Sequence, residues 1–268
     1  MSNIKGNSKE KKNVIYYSRD YRHLDVSAFW YIIQFVFILI PVVWLYLRSY
    51  SRISYFVADF SADMIHKITG NTTSILDTGY FKYFGGVSYV DMAGKHPSFT
   101  LSFFSLLISL FLIIVFSLQQ NNRKPLMIFI TIGLYIHACS SAYFLVFGYK
   151  FPYNIDSYSV LYMKQQIVVW LMIMIVYWIS TSLITKMVVY RLLSFIALIT
   201  TLFIFGIVRY ILYMIILAKC SYLFMASLYF TFGVLFDFMV MVGVFAIFIR
   251  QASRKYNNKN GGGMWKWS

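Results

Sequence analysis

The chain has 268 residues, 60% of them apolar and only 12% charged, with a mean hydropathy of +0.66. A soluble domain carries about 25% charged residues, so this composition leaves too little polar surface to cover a body folded in water and excludes that class. The formal charge of +15, from 24 Lys and Arg against nine Asp and Glu, sits mostly in tails and short links between apolar runs. It therefore reads as anchoring against anionic lipid headgroups and as a topology signal, not as a nucleic-acid surface.

Residues 1–26 form a basic tail in which Lys5, Lys9, Lys11, Lys12, Arg19 and Arg22 outweigh Glu10, Asp20 and Asp25. Residues 27–47 then run without a charge, and a helix needs roughly 20 residues to cross a bilayer. The run is too long for a signal-peptide core and has no small-residue cleavage site after it, so it predicts a retained first span. Pro41 within it predicts a kink or an irregular turn.

Residues 48–97 are the one sizeable region outside the bilayer. Phe56, Phe60, Met64 and Ile68 recur every four residues, with Asp59, Asp63, His66 and Lys67 on the other side, which predicts a short amphipathic helix with the Phe–Met–Ile stripe as its apolar face. After a polar turn at 70–74, residues 80–90 are rich in aromatic and β-branched types and are interrupted by Gly85-Gly86. That pattern predicts a small β-hairpin turning at the two glycines and packing on the helix ends.

Further apolar runs cover 98–118, introduced by Pro97, then 126–147, 167–184, 189–217 and 222–249. The predicted fold is an all-α integral membrane protein: a six-helix transmembrane bundle with a small extracytoplasmic helix and a β-hairpin. Residues 27–249 form the membrane domain, including the loop 48–97, between basic tails at 1–26 and 250–268. Six spans put both ends on one side. That side holds fifteen Lys and Arg and the other eight, Arg209 being the remaining one. The positive-inside rule then places both termini in the cytoplasm, most simply at the cell membrane.

Arg209 and Asp237 each lie inside a long apolar run. A charge facing lipid is costly, so both are expected to face the protein interior and, on adjacent antiparallel helices at similar depth, to pair. His137, beside Ser140 and Ser141 and between Ala138 and the helix's other small residues, is expected to bond across a helix interface. Asp91, Lys95 and His96 stand at the outer mouth of the second span, where they suit an anionic headgroup or, for His96, a general base. Asn71-Thr72-Thr73 matches a glycosylation acceptor. Cys139 and Cys220 lack metal-like or redox spacing and read as small buried hydrophobes, so no cofactor or metal is expected.

Two short stretches touch known membrane-enzyme patterns. Lys95-His96-Pro97-Ser98-Phe99-Thr100 faintly resembles the Pro-Ser-Gly-His element of a family of membrane lipid phosphatases, without that family's glycine and histidine after Pro-Ser. Ile207-Val208-Arg209-Tyr210-Ile211-Leu212 is similar in texture to exosortase-type membrane transpeptidases, without a cysteine at an outer helix end before the Arg or a histidine after it. Neither assigns a catalytic residue. The leading expectation is a membrane subunit or scaffold that meets other proteins or further copies of itself. Alternatives are a transporter component with a polar path near Arg209 and Asp237, and an interfacial enzyme acting on a lipid-linked substrate.

Overall fold

A computed structural model describes residues 22–24, 28–81, 85–118, 125–182, 188–257 and 265–267. Most of the two basic tails, the connector at 119–124 and the link at 183–187 lie outside the described residues. Six helices are long and apolar enough to cross a membrane, and together they form an all-α bundle. Strand β1 (Arg22–Leu24) pairs antiparallel with β4 (Trp265–Trp267).

The first span is α1 (Ala28–Gln34), a wide π-type turn at Phe35–Leu39, and α2 (Ile40–Thr69). Proline lacks an N–H and its ring clashes with the carbonyl four residues back, so a helix entering Pro41 has to open just before it. The irregularity expected at Pro41 sits there, in the preceding turn. Beyond it α2 runs unbroken through the region assigned to the loop, and the predicted surface helix is its outer half.

The apolar stripe of that half is not the face that packs against the rest of the protein. Phe56, Phe60 and Ile68 are exposed, whereas Ser54, Val57, Ala58, Ser61, Ala62 and Ile65 are buried. The small side chains let a strand backbone lie close to the helix, which a stripe of rings would hold away. Gly70 ends the helix in the left-handed region at φ +70°, its N–H bonded to the His66 carbonyl at 2.8 Å. An L-side chain is disfavoured there, so a C-terminal glycine is the natural stop.

The hairpin consists of β2 (Thr73–Phe81) and β3 (Gly85–Met92), paired from Thr73↔Met92 to Gly79↔Gly86. It is longer than expected, and the glycines open the second strand instead of forming the turn. Gly85, at φ +108°, lies against Ser51, and a Cβ on Gly86 would come within 3.1 Å of the Thr78 carbonyl oxygen. The hairpin also packs along the helices, not on their ends. Tyr50 donates its hydroxyl hydrogen to the Gly85 carbonyl at 2.6 Å, Ser88 N–H donates to Ser54 Oγ at 3.2 Å, and Val90 N–H donates to the Tyr210 hydroxyl at 2.9 Å. Helix side chains thus take up β3 N–H groups that an open sheet edge would leave unpaired.

Helices α3 (Phe99–Leu118) and α4 (Pro125–Phe147) pack on each other, and α4 also packs on the start of the last span. There Gly133 admits Thr231, whose Cγ2 would lie 2.8 Å from an added Cβ. The next two spans are α5 (Ile155–Ser182), which begins well before the expected 167, and α6 (Val188–Lys219). The last span comes in pieces: a 3-10 turn at Tyr222–Phe224, α7 (Met225–Tyr229), a π-type turn at Phe230–Val234, and α8 (Leu235–Asn257). Its break falls at Gly233, whose φ of −79° and ψ of −117° are not helical. The core lies where α2, β3, α5, α6 and the last span meet.

Candidate functional site

The break at Gly233 disturbs the helical ladder, and buried carbonyls without partners are costly in a membrane core. Arg209 of α6 meets that need. Its Nη1 donates to the carbonyls of Phe232 and Gly233, each at 3.0 Å, and Tyr213 donates its hydroxyl hydrogen to the Phe232 carbonyl at 2.6 Å. Arg209 Nη2 donates to Asp237 Oδ2 at 2.7 Å and to Gln166 Oε1 at 2.6 Å, and Nε donates to the Tyr162 hydroxyl at 3.0 Å. A guanidinium has five N–H donors, and these contacts engage all of them.

The expected pairing of Arg209 with Asp237 is therefore present, inside a larger buried network. Gln166 Nε2 also donates to Asp237 Oδ2 at 3.0 Å, and Tyr162 donates to the Gly206 carbonyl at 3.1 Å. The guanidinium carbon sits 5.6 Å from the Tyr162 ring centre and 5.7 Å from that of Phe236, within cation–π reach. Gly206 lets α5 and α6 close on one another, since a Cβ there would lie 2.7 Å from Trp170 Cζ2. Tyr162 and Gln166 escape a search for charges because they are neutral and fall in a stretch read as loop. The available signal is the spacing of Tyr158, Tyr162, Gln166 and Trp170, every fourth residue on one helical face.

His137 binds three helices together. Its Nε2 hydrogen-bonds Ser105 Oγ of α3 at 2.7 Å and its Nδ1 hydrogen-bonds Ser227 Oγ of α7 at 2.8 Å, while its ring stacks on Phe224 with centroids 5.0 Å apart. Ser140 donates to the Leu223 carbonyl at 2.8 Å and reinforces the same contact. The third span thus touches the start of the last one, at Leu223 and Ser227.

At the hairpin end of the bundle, an open cavity of about 580 Å³ is lined by residues including Asp91, His96, Asn154, Asp156 and Tyr222. It brings together Asp91 and His96 from the outer-mouth group, and adds Asp156 from the first turn of α5. Lys95 is not among its lining residues; its carbonyl accepts the Tyr222 N–H at 3.1 Å. Burial, and then the Asp156, Asp91 and Asp77 carboxylates, push the Tyr89 phenol on the hairpin above its ordinary value. The Asp91 and Asp156 carboxylates thus line one cavity at this end of the molecule.

Asn71 sits between α2 and β2, its N–H bonded to Thr69 Oγ1 at 3.1 Å and its carbonyl to His66 Nδ1 at 2.9 Å. Cys139 and Cys220 are free thiols, and both are exposed instead of buried. Arg191, counted by sequence among loop charges, is buried on α6; it donates to Gln34 Oε1 and lies 4.4 Å from the Trp178 ring centre. Among the described residues no group of three or more His, Cys, Asp or Glu side chains is placed to hold a metal ion. No protein-family profile, no curated protein and no solved structure matches the chain.

Proposed function

We propose that the chain is a non-enzymatic, multi-pass subunit or scaffold of a larger membrane complex, with both tails cytoplasmic at the cell membrane. One observation carries this reading: all five donors of Arg209 are engaged inside the chain, so its strongest buried charge serves to hold three helices in register and has no donor left for a substrate. The face of α3 away from α4 leaves Phe103, Phe104, Leu107 and Phe111 uncovered, a surface that lipid or a partner helix covers equally well in terms of polarity. The excess of Lys and Arg on the side of the tails supports the orientation. Crosslinking in intact cells, followed by purification in mild detergent, should recover the chain in a discrete assembly, with tags on both ends protected from outside protease. Recovery of an isolated monomer with no crosslinked partner would remove the proposal.

A second reading, a transport component, rests on a different observation. Among the described residues, the buried Gln165 Oε1, Thr231 Oγ1 and Asp237 Oδ1 find no hydrogen-bond partner; Gln165 lies near Gly233 of the break, and Thr231 against Gly133 of α4. Such groups suit a hydrated path through the last span. Cysteines placed at 165 and 231 should then react with water-soluble thiol reagents in native membranes. Full protection of both from either side would sink this reading and leave the first.

A further inference from the structure

The cavity at the hairpin end combines features that a folding role does not require. Tyr222 is 95% buried, being 5% exposed, and lines the cavity with its hydroxyl making no hydrogen bond among the described residues. That hydroxyl is within Coulombic reach of both the Asp91 and Asp156 carboxylates. His96 packs edge-on against the Tyr222 ring at 4.8 Å. The ring is held in place from behind by Gly94, where a Cβ would lie 2.4 Å from Tyr222 Cε1. Among the described residues Asp156 receives only a 3.4 Å contact from its neighbour Ser157, and neither carboxylate is within ion-pair distance of a cation.

Two like charges facing one cavity repel unless a cation lies between them. A volume of about 580 Å³ falls in the range of small-molecule sites, roughly 300–1,000 Å³. Among the described residues no group of three or more His, Cys, Asp or Glu side chains is placed to hold a metal ion, and the volume admits an organic cation. An unpartnered phenol hydroxyl beside two carboxylates offers oxygen acceptors of the kind that recognise an ammonium group.

We propose that this cavity binds a ligand bearing one or more ammonium groups, with Asp91 and Asp156 as counter-charges, the Tyr222 hydroxyl as a hydrogen-bond acceptor, and Asn154 and Thr73 as additional polar contacts. The site stands whether or not the chain is a subunit of a larger assembly. The ammonium belongs either to a free amine or to an ethanolamine lipid headgroup.

The test uses the full-length chain in nanodiscs of digalactosyldiacylglycerol, a lipid with no ammonium group, titrated with spermidine at constant ionic strength. Saturable binding, weakened about tenfold or more by Asp91→Asn with Asp156→Asn, is expected for loss of charge-assisted contacts. In a second arm, phosphatidylethanolamine is mixed into the discs and the lipid retained on the purified chain is measured by native mass spectrometry. Retention lost in the same variant, with spermidine silent, assigns the headgroup as the source. No saturable binding in either arm, unchanged affinity in the variant, or binding of neutral sorbitol in place of the amines overturns the proposal. Should the double variant aggregate, carbodiimide labelling of Asp91 and Asp156 in the unaltered chain replaces it. Protection by spermidine or by the ethanolamine lipid supports the site, and equal labelling with and without both overturns it.

Discussion

Asp237→Ala should destabilise the folded chain by about 3–5 kcal/mol, the usual result of stranding one member of a buried ion pair. Arg209 would remain 6% exposed, fixed by the Phe232 and Gly233 carbonyls but without a counter-charge. Asp237→Asn keeps an acceptor for Nη2 and should cost less. The paired replacement Arg209→Met with Asp237→Leu should recover much of the loss, because both desolvation terms disappear together. Some penalty should persist, since the two carbonyls at the break lose their donor. Unfolding in mixed micelles with increasing dodecyl sulfate reads all three. A double replacement as damaging as the two single losses combined would show that Arg209 and Asp237 are not coupled.

The second large effect concerns the spacing of α5 and α6. Gly206→Ala should destabilise by about 1–3 kcal/mol from overpacking, even though alanine favours a helix over glycine by about 1 kcal/mol. The contact decides the sign. The new Cβ would meet the Trp170 indole at 2.7 Å, and that indole is itself buried beside Phe203, with centroids 5.4 Å apart. It cannot swing away without opening the core. Gly243, on α8, provides the internal control because a Cβ there meets nothing within 4 Å. Gly243→Ala should therefore be neutral or slightly stabilising. If both substitutions shifted the unfolding midpoint equally, close α5–α6 approach would not be the reason for a glycine at 206.

Arg209 and Asp237 are legible in the sequence because a charge inside an apolar run is an anomaly, and consecutive spans lie side by side. Their neutral companions are not. Tyr162 and Gln166 are ordinary residues until α5 is extended to Ile155, and Lys164 makes that extension look unfavourable. In α2 the four-residue spacing reveals a helix but does not say which face the protein covers. In water an apolar stripe turns inward; against lipid the large rings can face outward while Ala58, Ser61 and Ala62 pack. Gly85-Gly86 shows the same ambiguity, since two glycines signal either a tight turn or a close backbone approach. The cavity joins Asp91 from the hairpin to Asp156 from α5, an adjacency created by tertiary packing alone.

The unbroken α2 also has a mechanical consequence. At 30 residues it is about 45 Å long, a single rod whose lower part stands among lipids and whose upper part carries the hairpin through Tyr50 and Ser54. With no hinge between Ile40 and Thr69, any rocking imposed on the rod by its lipid surroundings is passed on to β3 and from there to the wall that carries Asp91. The membrane-spanning part of this protein and its hairpin end are thus connected by a lever.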